Sequence, residues 1–260
     1  MEDGEEGEAV VANQKDLFGF IPPHLIWSYS RTGNVSGTAV DDEYNINWLT
    51  DGRGAFPILV DGNSGSWTVV NTAALIDTVA ICNHRVKVNV SVSGGINGTI
   101  LPAVAEVQDI LLNPFLRVAA PASTSSLTIS ISGNSEDIII GELVAGPLQT
   151  IRLPFWEDES MEERDFSNAS DDDNGIPPYD EGEEGRIWTG RQIYTTAELT
   201  ILRNWRKAQR GASLPSLIIP ELAVNDAWLG RIEIVGWSPA GGVGLWRVEF
   251  RIIEYKRSRW

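Results

Sequence analysis

Ile46-Asn47-Trp48-Leu49-Thr50-Asp51-Gly52, then Asp61-Gly62, then Ser66-Trp67-Thr68-Val69-Val70 and Ile76-Asp77-Thr78-Val79-Ala80-Ile81-Cys82-Asn83-His84 form the stretch, residues 46–84, whose reading decides the fold. Asp51-Gly52 and Asp61-Gly62 are turn dipeptides: glycine accepts positive φ, and aspartate bonds its own backbone. Between them lie short runs of Val, Ile, Thr and Trp, which suit a pleated, half-buried surface. The stretch therefore reads as part of a β-sandwich. The pattern continues with Phe115-Leu116-Arg117-Val118, with Leu127 to Ser132, and with Ile138-Ile139-Ile140-Gly141-Glu142-Leu143. From Ser126 to Ser132 apolar and polar residues alternate, as in a strand with one wet face. Residues 103–113 are read as a short helical excursion.

The chain has 260 residues, enough for one large β domain or two modest ones. A body of that size buries roughly 75% of its unfolded surface, so a core is easily supplied. With 36 acidic against 20 basic residues the net charge is −16, which argues against general nucleic-acid affinity and against an anionic membrane. The lone cysteine, Cys82, excludes an intramolecular disulfide framework and reads as a buried, inert thiol. The first residues, Met1-Glu2-Asp3-Gly4-Glu5-Glu6, are acidic where a secretory signal is basic and then apolar. No apolar run approaches the roughly 20 residues of a membrane helix. These features lead to the expectation of a soluble, reduced chain made in the cytoplasm. The four sequons at Asn34, Asn89, Asn97 and Asn168 are then incidental to a Ser/Thr/Asn-rich β protein.

Charge marks the expected boundary. Residues 157–185 carry thirteen Asp or Glu against a single Arg, a block that repels itself and reads as a solvated loop or linker. The division that follows is an N-terminal arm (1–24), a β-sandwich (25–153), an acidic linker (154–185) and a smaller α+β unit (186–260). In the last unit Arg186 to Tyr194 reads as a strand, and Thr195-Thr196-Ala197-Glu198 is a capping box opening a helix to about Gln209. Leu199, Leu202, Trp205 and Ala208 mark its apolar face, and Gly211 its stop. Leu217 to Pro220 and a long C-terminal β-hairpin follow, with Trp246, Val248, Phe250 and Ile252 facing one way along its return arm.

The order of these motifs resembles the discoidin-like (galactose-binding-like) jelly-roll module, in which a Leu-Thr-Asp-Gly turn precedes a Trp strand and a Val-x-Ile-x-Asn-His strand. Ile140-Gly141-Glu142-Leu143 matches the ending of the version found in tail proteins of tailed bacteriophages. There too a Thr-x-x-Glu helix with Trp-Arg-Lys, a Pro-flanked strand and a hairpin ending Phe-x-Ile-Glu come after the sandwich. The resemblance covers about 45–146 and 186–255. It implies a mainly β fold, a discoidin-like sandwich followed by a smaller α+β unit with one helix. It also implies a structural component of a virion tail, at the tip or baseplate, whose partners are other tail proteins and copies of itself. Such modules often hold a structural calcium near their turns, which singles out Asp41, Asp42 and Asp51.

Catalytic chemistry finds few candidates. His24 and His84 lack metal-motif spacing, no Gly-x-Ser-x-Gly elbow is present, and His84 among apolar neighbours reads as a structural histidine. Acids on a self-repelling linker cannot hold the fixed carboxyl separation of a glycosidase. Asp171-Asp172-Asp173-Asn174-Gly175 lacks the alternating ligands and closing Glu of a calcium loop. The expectation is a non-enzymatic protein with no cofactor beyond that calcium. The alternative function is carbohydrate binding as an adhesin that meets a host-surface glycan, with Trp48, Asp51, Arg53 and Trp67 converging as aromatic platform and polar groups. Its competitor is that both tryptophans are core. The basic, aromatic tail Tyr255, Lys256, Arg257, Arg259 and Trp260 is the candidate assembly contact on an acidic chain.

Overall fold

The computed structural model describes residues 17–29, 34–52, 58–87, 89–101, 113–163, 184–209, 215–222 and 226–254, with backbone alone for 156–163, 184 and 185. In chain order the strands are β1 (Leu17–Ile21), β2 (Val35–Gly37), β3 (Ile58–Val60), β4 (Gly65–His84), β5 (Val90–Ser93), β6 (Gly98–Leu101) and β7 (Phe115–Ile131). They continue with β8 (Ile138–Gly146), β9 (Gln149–Arg152), β10 (Phe155–Glu163), β11 (Glu184–Thr195), β12 (Ser216–Ile219), β13 (Trp228–Pro239) and β14 (Leu245–Glu254), with helix α1 at Thr196–Gln209. The protein is mainly β, and every strand pairing among the described residues is antiparallel. Two seven-stranded sheets result. The first runs β3-β8-β4-β7-β5-β6 with β2 beside β4, and the second β10-β11-β14-β13-β12-β1-β9.

Strand alternation explains how the first sheet encloses a core. Trp67, Val69, Val90, Val92, Leu127, Ile129 and Ile131 point inward and are buried, while their neighbours in sequence point to solvent. β4 shifts register between Val70 and Ala74 and again between Ile76 and Thr78. Such irregularities bend a strand and raise its twist. Both halves of β4 thereby serve one cluster, Trp67 and Val69 from the first and Val79 and Ile81 from the second. The opposite face of the second half is apolar too. Ala80, Cys82 and Val144 pack with Ile21, Leu217, Ile219 and Leu229 of the second sheet, a layer between the two sheets. The far side of the second sheet is covered by α1, where Leu199, Leu202 and Trp205 meet Phe18, Phe20, Trp228, Val248 and Phe250. Trp205 stacks on Phe20 with ring centroids 4.0 Å apart.

The capping box forms as the sequence dictates: the Thr195 hydroxyl accepts from the Glu198 N–H, and Glu198 Oε2 accepts from the Thr195 N–H at 2.8 Å. Val248, Phe250 and Ile252 are buried along β14, with Trp246 packed beside them. Two placements differ from the sequence reading. Leu17–Ile21, read as part of an arm, is a strand between β12 and β9, because its Phe18 and Phe20 face the α1 core while Ile21 joins the layer between the sheets. The ends of the acidic block are not loop: Phe155–Glu163 and Glu184–Thr195 pair from Phe155↔Arg191 to Glu163↔Glu184. Backbone pairing with β11, itself held by β14, supplies there what apolar periodicity does not. Residues 164–183, most of 103–113, and Gly211 lie outside the described residues.

Candidate functional site

The loop end of the first sheet carries a grouping of aromatic and polar side chains around a short 3-10 turn. Asn45 caps a 3-10 turn, Ile46–Thr50, its Oδ1 accepting from the Asn47 N–H at 3.0 Å. The Asp41 N–H donates to the Leu59 carbonyl and ties this loop to β3, while the Tyr44 N–H closes back on Asp41 O. Leu49 and Thr50 are buried beneath the turn. That anchoring leaves Tyr44 and Trp48 half-buried, edge to face, with centroids 6.1 Å apart. Asp42 and Asn45, close to Tyr44 in sequence, are exposed, and Asn47 Oδ1 and Thr50 Oγ1 are buried with no hydrogen-bond partner among the described residues. An aromatic edge beside planar amides and a carboxylate can receive a polar ligand that has apolar faces.

The expected sugar-binding set is only partly assembled. Trp48 stands at the turn. Asp51 ends the turn and is buried. Trp67 is fully buried in the sandwich core, its indole N–H donating to the Thr38 carbonyl at 3.1 Å, and is no platform. Arg53 lies outside the described residues. Tyr44, Asn45 and Asn47 were missed, although an aromatic four residues before Trp48 on an Asn-rich turn was the available signal. Asp41, Asp42 and Asp51 do not converge: the described residues contain no group of three His, Cys, Asp or Glu able to hold a metal. Asp51 is buried at the end of the turn, while Asp42 is exposed. Tyr255, Lys256, Arg257, Arg259 and Trp260 lie outside the described residues.

His84 is buried, and its Nδ1 accepts from the Val86 N–H at 3.0 Å, a structural engagement. A second polar cluster sits at the end of the layer between the sheets. Arg186 donates to Asp226 at 2.7 Å and to both carboxylate oxygens of Glu254 at 2.8 and 3.0 Å, with its guanidinium 3.8 Å from the Trp228 ring centroid. Asp226 also accepts from the Trp228 indole and from the Asn113 N–H, and Asn113 Oδ1 accepts from the Asn83 N–H of β4. This chain of bonds links the two sheets. Burial pushes the Glu254 carboxyl up to about 7, against the opposing pull of Arg186. Burial first, and then Glu142, Asp226 and Glu254, push the Cys82 thiol well up. With Asp226 and Glu254 both buried, the cluster is a fastener rather than a site open to substrate.

No family model matches the chain, and no curated protein matches it. Among solved structures the chain is similar to the module CpGH89CBM32-4 from Clostridium perfringens, with TM-score 0.39, 16% identity, and coverage of 47% of this chain and 98% of that one. It is similar also to the family 32 carbohydrate-binding module of NanJ from C. perfringens, in complex with galactose, at TM-score 0.36 and 16% identity, covering 51% and 99%. A third is chitosan-binding module 1 from a chitosanase/glucanase of Paenibacillus sp. IK-5, at TM-score 0.35 and 6% identity, covering 43% and 92%. These neighbours are carbohydrate-binding modules, and the tail setting implied by the motif order has no counterpart among the three. At such low scores and identities the site stands on this chain's own residues.

Proposed function

We propose that the protein is a non-enzymatic recognition module that binds a glycan at the loop end of its sandwich. The observation that carries this reading is the Tyr44–Trp48 pair, held half-exposed by a capped turn, with Asp42, Asn45 and Asn47 close to it in sequence. Sugars offer apolar C–H faces to an aromatic ring and hydroxyls to amides and carboxylates, and this grouping supplies both kinds of partner. The setting comes from the motif order alone: a virion tail, where the module docks among other tail proteins and copies of itself and meets a host-surface glycan.

A glycan array with the full chain tests the binding reading. Selective retention of one glycan class is expected, lost on Trp48→Ala and on Tyr44→Ala while both variants remain folded by circular dichroism. Silence of the wild type across the array, or undiminished binding by Trp48→Ala, overturns it. Mass spectrometry of purified phage particles tests the setting separately; absence of the chain from particles removes it and leaves the glycan result standing.

A further inference from the structure

The outer face of the first sheet has an unusual composition for a chain of net charge −16. Residues 34–40, 62–76, 88–105 and 118–135 contain no Asp, Glu, Lys or Arg. These runs supply β2, β5, β6 and most of β4 and β7, and the sheet places them side by side. Where these strands lie side by side, from Ser66 to Thr68 of β4 and Thr128 to Ser130 of β7, the outward positions are hydroxyls, whereas Leu75, Ala119, Ala120 and Pro121 farther along β4 and β7 are exposed and apolar. Ser36 pairs with Thr68, Thr68 with Thr128, and Thr128 with Ser93, forming one row across four strands. Ser66 pairs with Ser130, Ser130 with Ser91, and Ser91 with Thr99, forming a second. All eight are exposed or half-buried. Neighbours within a row stand about 4.8 Å apart and the rows about 6.7 Å, the strand and two-residue spacings of a sheet.

The array is internally ordered. The Ser66 and Ser130 hydroxyls are 3.0 Å apart, and those of Thr68 and Thr128 2.8 Å. Each hydroxyl has one donor and two acceptor sites, so one contact leaves capacity for another. The other large wet surface is different. On the second sheet Arg191, Arg231, Arg247, Glu249 and Arg251 are all exposed, so that face is charged.

We propose that the hydroxyl face is where a second copy of this chain docks, in a two-fold contact. Two chains of charge −16 repel, and the repulsion is least where neither brings a charge to the contact. A two-fold interface needs a surface complementary to itself. Carboxylates fail that test, whereas hydroxyls meet it because each donates and accepts. Val70, 51% exposed at the margin of the array, adds apolar area to the same face. A glycan is the less suited occupant, because the two rows contain no aromatic ring on which a sugar could stack. The proposal does not depend on glycan binding at the turn.

Sedimentation velocity of the full chain, from sub-micromolar to tens of micromolar and at low and moderate salt, is the test. The wild type is expected to dimerise, more tightly at moderate salt, where the residual repulsion is screened. Ser91→Asp with Ser93→Asp places like charges on both copies and should weaken dimerisation at least tenfold, with unchanged melting temperature. Mixing Ser91→Lys with Ser91→Asp should restore it. A wild type that stays monomeric throughout overturns the proposal, as does a double variant that dimerises normally. Retention of a monomeric wild type by a neutral polysaccharide, lost in the double variant, overturns it too and gives the face to sugar.

Discussion

Replacing Arg186 by Met tests the account of how the two sheets are joined. The side chain is 15% exposed and makes charge-assisted bonds to Asp226 and Glu254, themselves 8% and 3% exposed. Methionine restores much of the volume and none of the charge. Two carboxylates are then left buried without their cation, and breaking a buried pair in this way costs about 3–5 kcal/mol. Acidity sharpens the expectation. Glu254 has its folded value raised to about 7, above the unfolded carboxylate value. Between the two values the native state holds the extra proton, so wild-type stability falls as pH rises through that window, by roughly 3 kcal/mol in all. Without Arg186 the folded value climbs further and the decline extends to higher pH. Urea unfolding followed by tryptophan fluorescence, at about pH 8 and about pH 5.5, reads both effects. The variant should lose the full 3–5 kcal/mol near pH 8 and distinctly less near pH 5.5, where Glu254 is neutral. A loss under about 1 kcal/mol near pH 8, or one equal at both pH values, refutes the reasoning.

Other consequences are equally direct. Trp67→Ala empties the middle of the sandwich core and should cost about 3–5 kcal/mol by urea titration. Glu198→Ala removes the capping box and the Arg152 pair, and should cost about 1–2 kcal/mol near neutral pH. Burial pulls the Glu198 carboxyl upward, but bonds from Arg152 and Thr195 outweigh it and hold the group at about 2. Its contribution is therefore complete above the unfolded carboxylate value and fades as pH falls toward about 2, so the variant and wild type should converge in acid. Gly37→Ala would place a Cβ 2.1 Å from the Ser66 carbonyl at φ +151°, and a lowered melting temperature is expected. Cys82, buried with its thiol pushed up, should resist a disulfide reagent at about pH 8 until urea unfolds the chain.

The residues explain which parts of this architecture were legible beforehand. Local chemistry announced itself: Thr195 and Glu198 stand at capping-box spacing, and the alternation in Leu127–Ile131 and in Val248–Ile252 names the buried faces. Partnership across distance did not. Nothing in Leu17-Phe18-Gly19-Phe20-Ile21 states that it will lie between β12 and β9, because pairing is decided by backbone bonds that every sequence carries. The flanks of the acidic block were misread for the same reason. At the candidate site, Trp48 and Trp67 look alike in sequence. One sits on a capped turn and the other in a strand facing the core, and only the turn leaves an indole accessible.

The position of β1 has a consequence for synthesis. This strand leaves the ribosome before nearly everything else described here, yet its neighbours β9 and β12 come from the middle and far part of the chain. The first sheet can close during translation. The second cannot, until residues beyond Ser216 have emerged. In the interval Ala80, Cys82 and Val144 present an uncovered apolar surface to solvent, and β1 an unpaired edge. Contacts so remote in sequence form slowly, and half-made sheets of this kind invite association with other nascent chains. Yield of folded protein should therefore depend on chaperone capacity and on a slow rate of elongation more than on the stability of the finished molecule.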